Sequence, residues 1–179
     1  MDEISIRRLH QVGDDQQQAL AAVLLDCVEG GASVGFMLPL APAHALAFWQ
    51  RVAAGVHAGE RALLVAEDDQ GICGTVQLVL AQPDNQPHRA DLSKMLVHRR
   101  ARNQGLGAAL MRAAETCARD CGKTVLVLDT VTGSTADRLY TRLGWVRVGE
   151  VPDYALWPGG GLCGTTYFYR ALSNQVEAA

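Results

Sequence analysis

At 179 residues, 49% hydrophobic and 20% charged, the chain has the size and composition of one ordinary globular domain, with no bias toward disorder except in its last few residues. A formal charge of −3 excludes a global field for gathering nucleic acid, which rests on many lysine and arginine contacts to phosphates. No apolar run approaches the roughly 20 residues that span a bilayer, and "MDEISIRRLH" lacks a signal-peptide profile, so the expectation is a cytoplasmic protein without nucleic-acid or membrane partners.

In chain order, Ile4 to Leu9 alternates like a strand, and Asp14 or Asp15 can cap a helix that carries Leu20, Val23, Leu24 and Cys27 at helical spacing. That helix should stop at Gly30 and Gly31. The loop "GGASVGFMLPLAP" leads to a second helix from near Pro42, with Ala45, Phe48, Trp49, Val52 and Val56 on one face and Gly55 and Gly59 bounding its end. "RALLVAEDDQGICGTVQLVL" reads as a hairpin, with strands Arg61 to Glu67 and Ile72 to Leu80 around an Asp-Asp-Gln-Gly turn. After the loop "AQPDNQPH" comes a strand from Arg89 to Val97. A helix follows whose stripe is Leu106, Ala109, Leu110, Ala113, Ala114, Cys117 and Cys121, closed by Gly122. Val125 to Leu128 is apolar on both faces, as a central strand should be. A short helix with Ala136, Leu139, Tyr140 and Leu143 is followed by strands near Trp145 to Val151 and Thr165 to Arg170.

The five cysteines make no framework. Cys27, Cys73 and Cys163 are isolated, and Cys117 and Cys121, four apart on a helix, lack a second pair at ligand spacing. Reduced thiols and no metal are expected.

The chemistry sits between the strand ending at Val97 and the helix opening at Leu106, where Arg102, Gly105 and Gly107 form the pattern Arg-x-x-Gly-x-Gly. Glycine lets a backbone come close to a ligand, and a helix start offers unpaired N–H groups with partial positive charge. Three readings follow. The glycines can serve only a tight turn. A triphosphate loop would end in Gly-Lys-Ser/Thr, and a dinucleotide loop would need an acidic residue about 20 positions on; neither pattern is met. A pyrophosphate clamp fits, with the basic run "HRRAR", His98 to Arg102, just ahead of the turn.

Here the sequence resembles the Gcn5-related N-acetyltransferase (GNAT) family, in its Arg-x-x-Gly-x-Gly loop and in a later signature present as Ala136, Tyr140 and Gly144-Trp145. The strand-helix-strand-helix order over Arg89 to Val148 and the two N-terminal helices agree with it. Within the family, "GGASVGFM", "KMLVHRRARNQGLG" and "LDTVTGSTADRLYTRLGWVRVGEVPDY" are similar to the tabtoxin resistance acetyltransferases. One departure is Gly133, where many members carry an asparagine that contacts the pantetheine arm; that contact is then either missing or supplied by Ser134.

The resemblance implies an α/β GNAT fold: a mixed, mostly antiparallel sheet of six to seven strands, its central parallel pair splayed to hold acetyl-CoA, flanked by about four helices. It implies a single domain over residues 1–173 with a tail over 174–179. The coenzyme would be held by Met95, Leu96, Val97, Arg102, Asn103, Gln104, Gly105, Leu106, Gly107, Ala108 and Ser134, with a backbone N–H near Leu96 or Val97 polarising the thioester carbonyl. Asp91, Asp129 and Tyr140 would be catalytic.

An alkyl ammonium of pKa near 10.4 leaves only about one amine in a few thousand neutral at pH 7, so a group must take its proton. Asp91 can do so through a water, or directly if burial or Asp129 raises its pKa; a phenol, protonated at neutral pH, can give a proton to the departing thiolate. By residue pattern alone, Tyr140 also reads as a core aromatic, and the two aspartates as solvent-facing or capping residues. The acceptor expected is a small-molecule primary amine, including a tabtoxin-like toxin, met by a monomer or homodimer. The alternatives are a protein or peptide acceptor, or a non-catalytic acyl-CoA binding module.

Overall fold

A computed structural model describes residues 4–172. The elements run β1 (Ser5–Leu9), α1 (Asp14–Glu29), α2 (Pro42–His57), β2 (Arg61–Asp68), β3 (Gly71–Val79), β4 (Arg89–Val97), α3 (Leu106–Asp120), β5 (Val125–Val131), α4 (Thr135–Arg142), β6 (Val146–Leu156) and β7 (Leu162–Ala171). The strands form one sheet in the order β1-β2-β3-β4-β5-β7-β6, antiparallel except for the central pair β4–β5. This is the expected mixed sheet with four helices.

Each face carries an apolar layer. Leu78, Ala90, Leu92, Leu126, Leu128 and Phe168 pack with Leu110, Met111 and Ala114 of α3 and with Tyr140 of α4. Leu63, Val65, Ile72 and Leu96 pack with Leu20, Val23, Leu24, Trp49 and Val52 of α1 and α2 on the other. β4 changes allegiance along its length. Ala90 and Leu92 face α3, whereas Leu96 faces α1 and α2, although strict alternation would put all three on one side.

A β-bulge resolves this. Leu92 pairs with Leu78 and Ser93 with Gln77, but the next pair is Leu96 with Thr75, so Lys94 and Met95 together oppose the single residue Val76. Lys94 takes the left-handed conformation there, with φ of 51°. The β4–β5 ladder ends at the same place: Arg89, Ala90 and Asp91 pair with Val125, Leu126 and Val127, and beyond Asp91 the β5 side of β4 has no strand partner. The sheet is therefore split open at its centre.

Several boundaries differ from the sequence reading. Gly13, not Asp14 or Asp15, caps α1; its N–H donates to the Gln16 side chain at 2.9 Å, and the two aspartates occupy the first turn, where they favour the helix dipole. Gly55 lies inside α2 rather than at its end, and it makes room for Arg61, whose side chain would come within 2.9 Å of a Cβ there. Strands β5, β6 and β7 are longer than the apolar runs that announced them. Cross-strand hydrogen bonds carry β5 through Asp129 to Val131 and turn most of the glycine-rich segment 151–168 into hairpin. The tail at 174–179 lies outside the described residues.

All five cysteines are free, and burial pushes the thiols of Cys73 and Cys117 up to about 11, so they remain protonated packing residues.

Two carboxylates, one buried and one half-buried, brace the segment after β4. Asp26 of α1, 8% exposed, accepts from the Arg99 backbone N–H at 2.8 Å and pairs with the Arg99 guanidinium. Asp68, at the end of β2, pairs with Arg100 at 3.0 Å. Replacing Asp26 with alanine strips the Arg99 N–H and guanidinium of their acceptor and should cost about 1–3 kcal/mol, read as a lowered urea midpoint at unchanged slope.

Candidate active site

The loop from β4 into α3 owes its shape to one residue type. Gly105 is the helix N-cap at φ of 78°, a conformation that costs a residue with a Cβ roughly 1–2 kcal/mol, and it offers no capping side chain. No acid occupies the first turn of α3, so its leading N–H groups stay unpaired and its positive dipole end uncompensated. Gly107 answers a different need: a Cβ there would lie 3.1 Å from a Leu139 methyl of α4, which packs close to this turn.

The basic run beside the loop divides. Arg99 and Arg100 are the ion-paired braces just described and do not line the opening. Arg102 does, its Nε donating to the Val97 carbonyl at 3.0 Å and its second guanidinium arm touching Cys27 Sγ at 3.8 Å.

These features border a cleft of about 860 Å³ that runs through the split between β4 and β5. Of the residues expected to hold a coenzyme, Met95, Leu96, Val97, Arg102, Asn103, Gly105, Leu106, Gly107, Ala108 and Ser134 line it. Gln104 stands outside; its side chain donates to the Arg100 carbonyl at 3.3 Å. Ser134 caps α4, accepting from the Asp137 N–H at 3.1 Å, and still faces the cleft.

The three expected catalytic residues part company. Asp129 and Tyr140 line the cleft; Asp91 does not. Asp91 sits where β4 and β5 are still paired, held by the Arg89 guanidinium and by Gln82 at 3.1 Å. Its register partner is Val127, two residues before Asp129, so both aspartates project from the same sheet face. Asp129 is exposed within the opening, one oxygen accepting from the Thr165 hydroxyl at 2.8 Å.

Tyr140 approaches from the opposite face, packed against Trp145 and Phe168. Among the described residues no group hydrogen bonds its hydroxyl. Burial, and then the charge of Asp129, push its ionisation well above the ordinary phenol range. The phenol therefore stays protonated throughout neutral pH and can donate. Because the sheet is split at this point, groups from its two faces meet in one space.

Four further residues contribute to the lining. Lys94 joins it through the bulge, Tyr154 and Thr165 from the β6 and β7 strands, and Trp157 from the turn between them. Tyr154 donates to or accepts from Tyr167 at 3.0 Å, and that bond, ahead of burial, pushes Tyr167 up to about 12. The loop after α1 and the β6–β7 hairpin both line the cleft and are tied together: Ser33 donates to the Leu156 carbonyl at 2.9 Å, and the Leu38 N–H to the Pro158 carbonyl at 2.9 Å. Among the described residues no group of three or more His, Cys, Asp or Glu is placed to hold a metal, and no helix is long and apolar enough to cross a membrane.

The fold recurs in solved structures. YncA from Salmonella typhimurium, solved with its cofactor acetyl-CoA, superposes with a TM-score of 0.77 at 21% identity, over 97% of this chain and 96% of that one. Ribosomal-protein-alanine N-acetyltransferase from Brucella melitensis gives 0.76 at 21% identity, over 94% and 99%. N-acetyltransferase 8B of Rattus norvegicus is 34% identical over 95 residues, which cover 52% of this chain and 43% of that protein, so the match spans less than half of the relative's length. Residues 59–147 match the family described as the acetyltransferase (GNAT) domain, and these residues run from the end of α2 through the split strand pair to the start of β6. The chain thus carries an acetyltransferase domain of the GNAT family.

Proposed function

We propose that the chain transfers the acetyl group of acetyl-CoA to the primary amine of a small molecule. The observation that carries this is the continuity of one cleft from the uncapped start of α3, along the unpartnered edge of β4, to Asp129 and Tyr140. An anionic pyrophosphate suits the first, an amide-bearing arm the second, and a thioester the space between the last two.

The residues present fit the coenzyme. The N–H groups of Leu106, Gly107 and Ala108 with the side chain of Arg102 would hold phosphate oxygens, and the backbone at Met95 to Val97 the pantetheine amides. When bound, acetyl-CoA supplies an acetyl group already activated as a thioester. The chain has to attract the amine, take its proton as nitrogen bonds to the acetyl carbon, and give a proton to sulfur as the carbon–sulfur bond breaks. Asp129, steadied by Thr165, attracts the ammonium and takes the proton directly or through one water. Asp91, its charge offset by Arg89 outside the cleft, takes no proton in this scheme. Tyr140 gives the proton to sulfur.

Thiol release from acetyl-CoA tests this across amino acids, polyamines, aminoglycosides, tabtoxinine-β-lactam and a peptide panel. Acceptor-dependent release that falls about 10²-fold or more in Asp129→Asn supports the reading. Release only with peptides replaces the small-molecule acceptor, and release with nothing from a folded sample sinks the enzyme.

A further inference from the structure

Two charged residues of the cleft, Lys94 and Arg142, are left unused by the acetyl-transfer chemistry; Arg142 is exposed in the last turn of α4, whereas Lys94 is set into the opening. It stands half-buried at the β4 bulge, and its side chain reaches away from the coenzyme loop toward α2 and the loop before it. Its Nζ lies 5.5 Å from the centroid of the Phe48 ring, and a Cβ on Gly35 would be 3.9 Å from it. Among the described residues it forms no hydrogen bond and no ion pair. Arg61, the other cation that influences it, is occupied by Gln77 at 2.9 Å.

A lysine ammonium withdrawn from water without an acceptor is costly, and surface lysines avoid that by reaching outward. Lys94 instead borders the cleft that Asp129 also lines, and neither an ion pair nor a hydrogen bond joins the two. Opposite charges held apart on the walls of one cleft complement a ligand whose own charges are opposite and similarly separated. Burial pulls the Lys94 pKa down while Asp129 pushes it up, the pattern of a cation that lacks a close anion.

Resting on acetyl transfer in this same cleft, we propose that the acceptor is a zwitterion of the amino-acid class, with Lys94 binding its carboxylate while Asp129 faces its amine. The coenzyme's phosphates are served elsewhere, at the start of α3. Lys94 then fixes which amine enters, because a cation without a carboxylate meets Lys94 with like charge.

Matched acceptors decide it: amino acids, α and ω, against the same molecules with the carboxylate converted to carboxamide, assayed by thiol release with coenzyme A binding measured separately by calorimetry. The expected result is a kcat/KM about ten- to hundredfold higher for the carboxylate member. This would hold against intrinsic reactivity, since the carboxamide has the less basic and more readily deprotonated α-amine. Lys94→Gln should erase the preference through KM of the carboxylate member alone, leaving coenzyme A affinity in place. Equal rates for the pairs in the unmodified chain, or a preference that survives in Lys94→Gln, overturns the proposal. Coenzyme binding with release from no amino acid overturns it while sparing the coenzyme site, and absence of coenzyme binding removes the acetyl-transfer reading itself.

Discussion

Replacing Tyr140 with phenylalanine should lower kcat by about 10²- to 10⁴-fold, the usual worth of a positioned proton donor, and leave the fold and coenzyme A affinity intact. The two effects separate cleanly here because the Tyr140 ring, 5% exposed, packs on Trp145 and Phe168, while its hydroxyl has no protein hydrogen bond among the described residues. Removing that oxygen leaves no buried partner stranded, so the unfolding midpoint should hold or rise slightly. The pH profile adds a second mark. Burial and Asp129 hold the phenol protonated above its ordinary value of about 10, so the alkaline limb due to this group lies beyond that value in the unmodified chain and disappears in the variant. Since the folded-state ionisation is the higher one, the same group contributes stability below pH about 10 that is lost as pH rises through the folded value. Rates within threefold of each other would move the proton donation to another group.

Deleting Lys94 should abolish coenzyme A binding by at least about two orders of magnitude while the chain still folds. Lys94 and Met95 together oppose Val76, so removing one residue restores a one-to-one ladder. Deletions within strands normally throw every following side chain to the wrong face. This one does not, because Leu96 already faces α1 and α2, and Met95 and Val97 already pack toward α3. What the deletion removes is the kink that keeps the far half of β4 from pairing with β5. A folded, cooperative variant that still binds coenzyme A would show that the opening does not depend on the bulge. Loss of folding would show that the kink stabilises the core itself.

The deletion also marks what was readable beforehand. Helices α3 and α4, strands β2 to β5 and the glycine loop follow from spacing and turn residues, because these are local rules. The bulge is not local. Ser93, Lys94 and Met95 look like any strand residues, and only pairing with β3 shows that one of them is extra. For the same reason Lys94 escaped notice as a cleft residue, as did Thr165, which reaches Asp129 from a strand 36 residues away. The family resemblance names Asp91 and Asp129 together, and the register does put them on one face. What the sequence could not say was that the opening begins only after Asp91. "HRRAR" pointed to phosphate by composition, whereas two of its arginines answer aspartates on α1 and β2, a use no charge count reveals.

A slot through the middle of a sheet has two mouths. The start of α3 and the ring of Tyr140 belong to one face of the sheet, whereas Lys94 and Asp129 open toward the other. Two substrates can therefore enter from opposite sides and reside together without either having to leave first. In steady-state terms, reciprocal plots at varied acceptor should intersect rather than run parallel, and a dead-end coenzyme analogue should not compete with the acceptor.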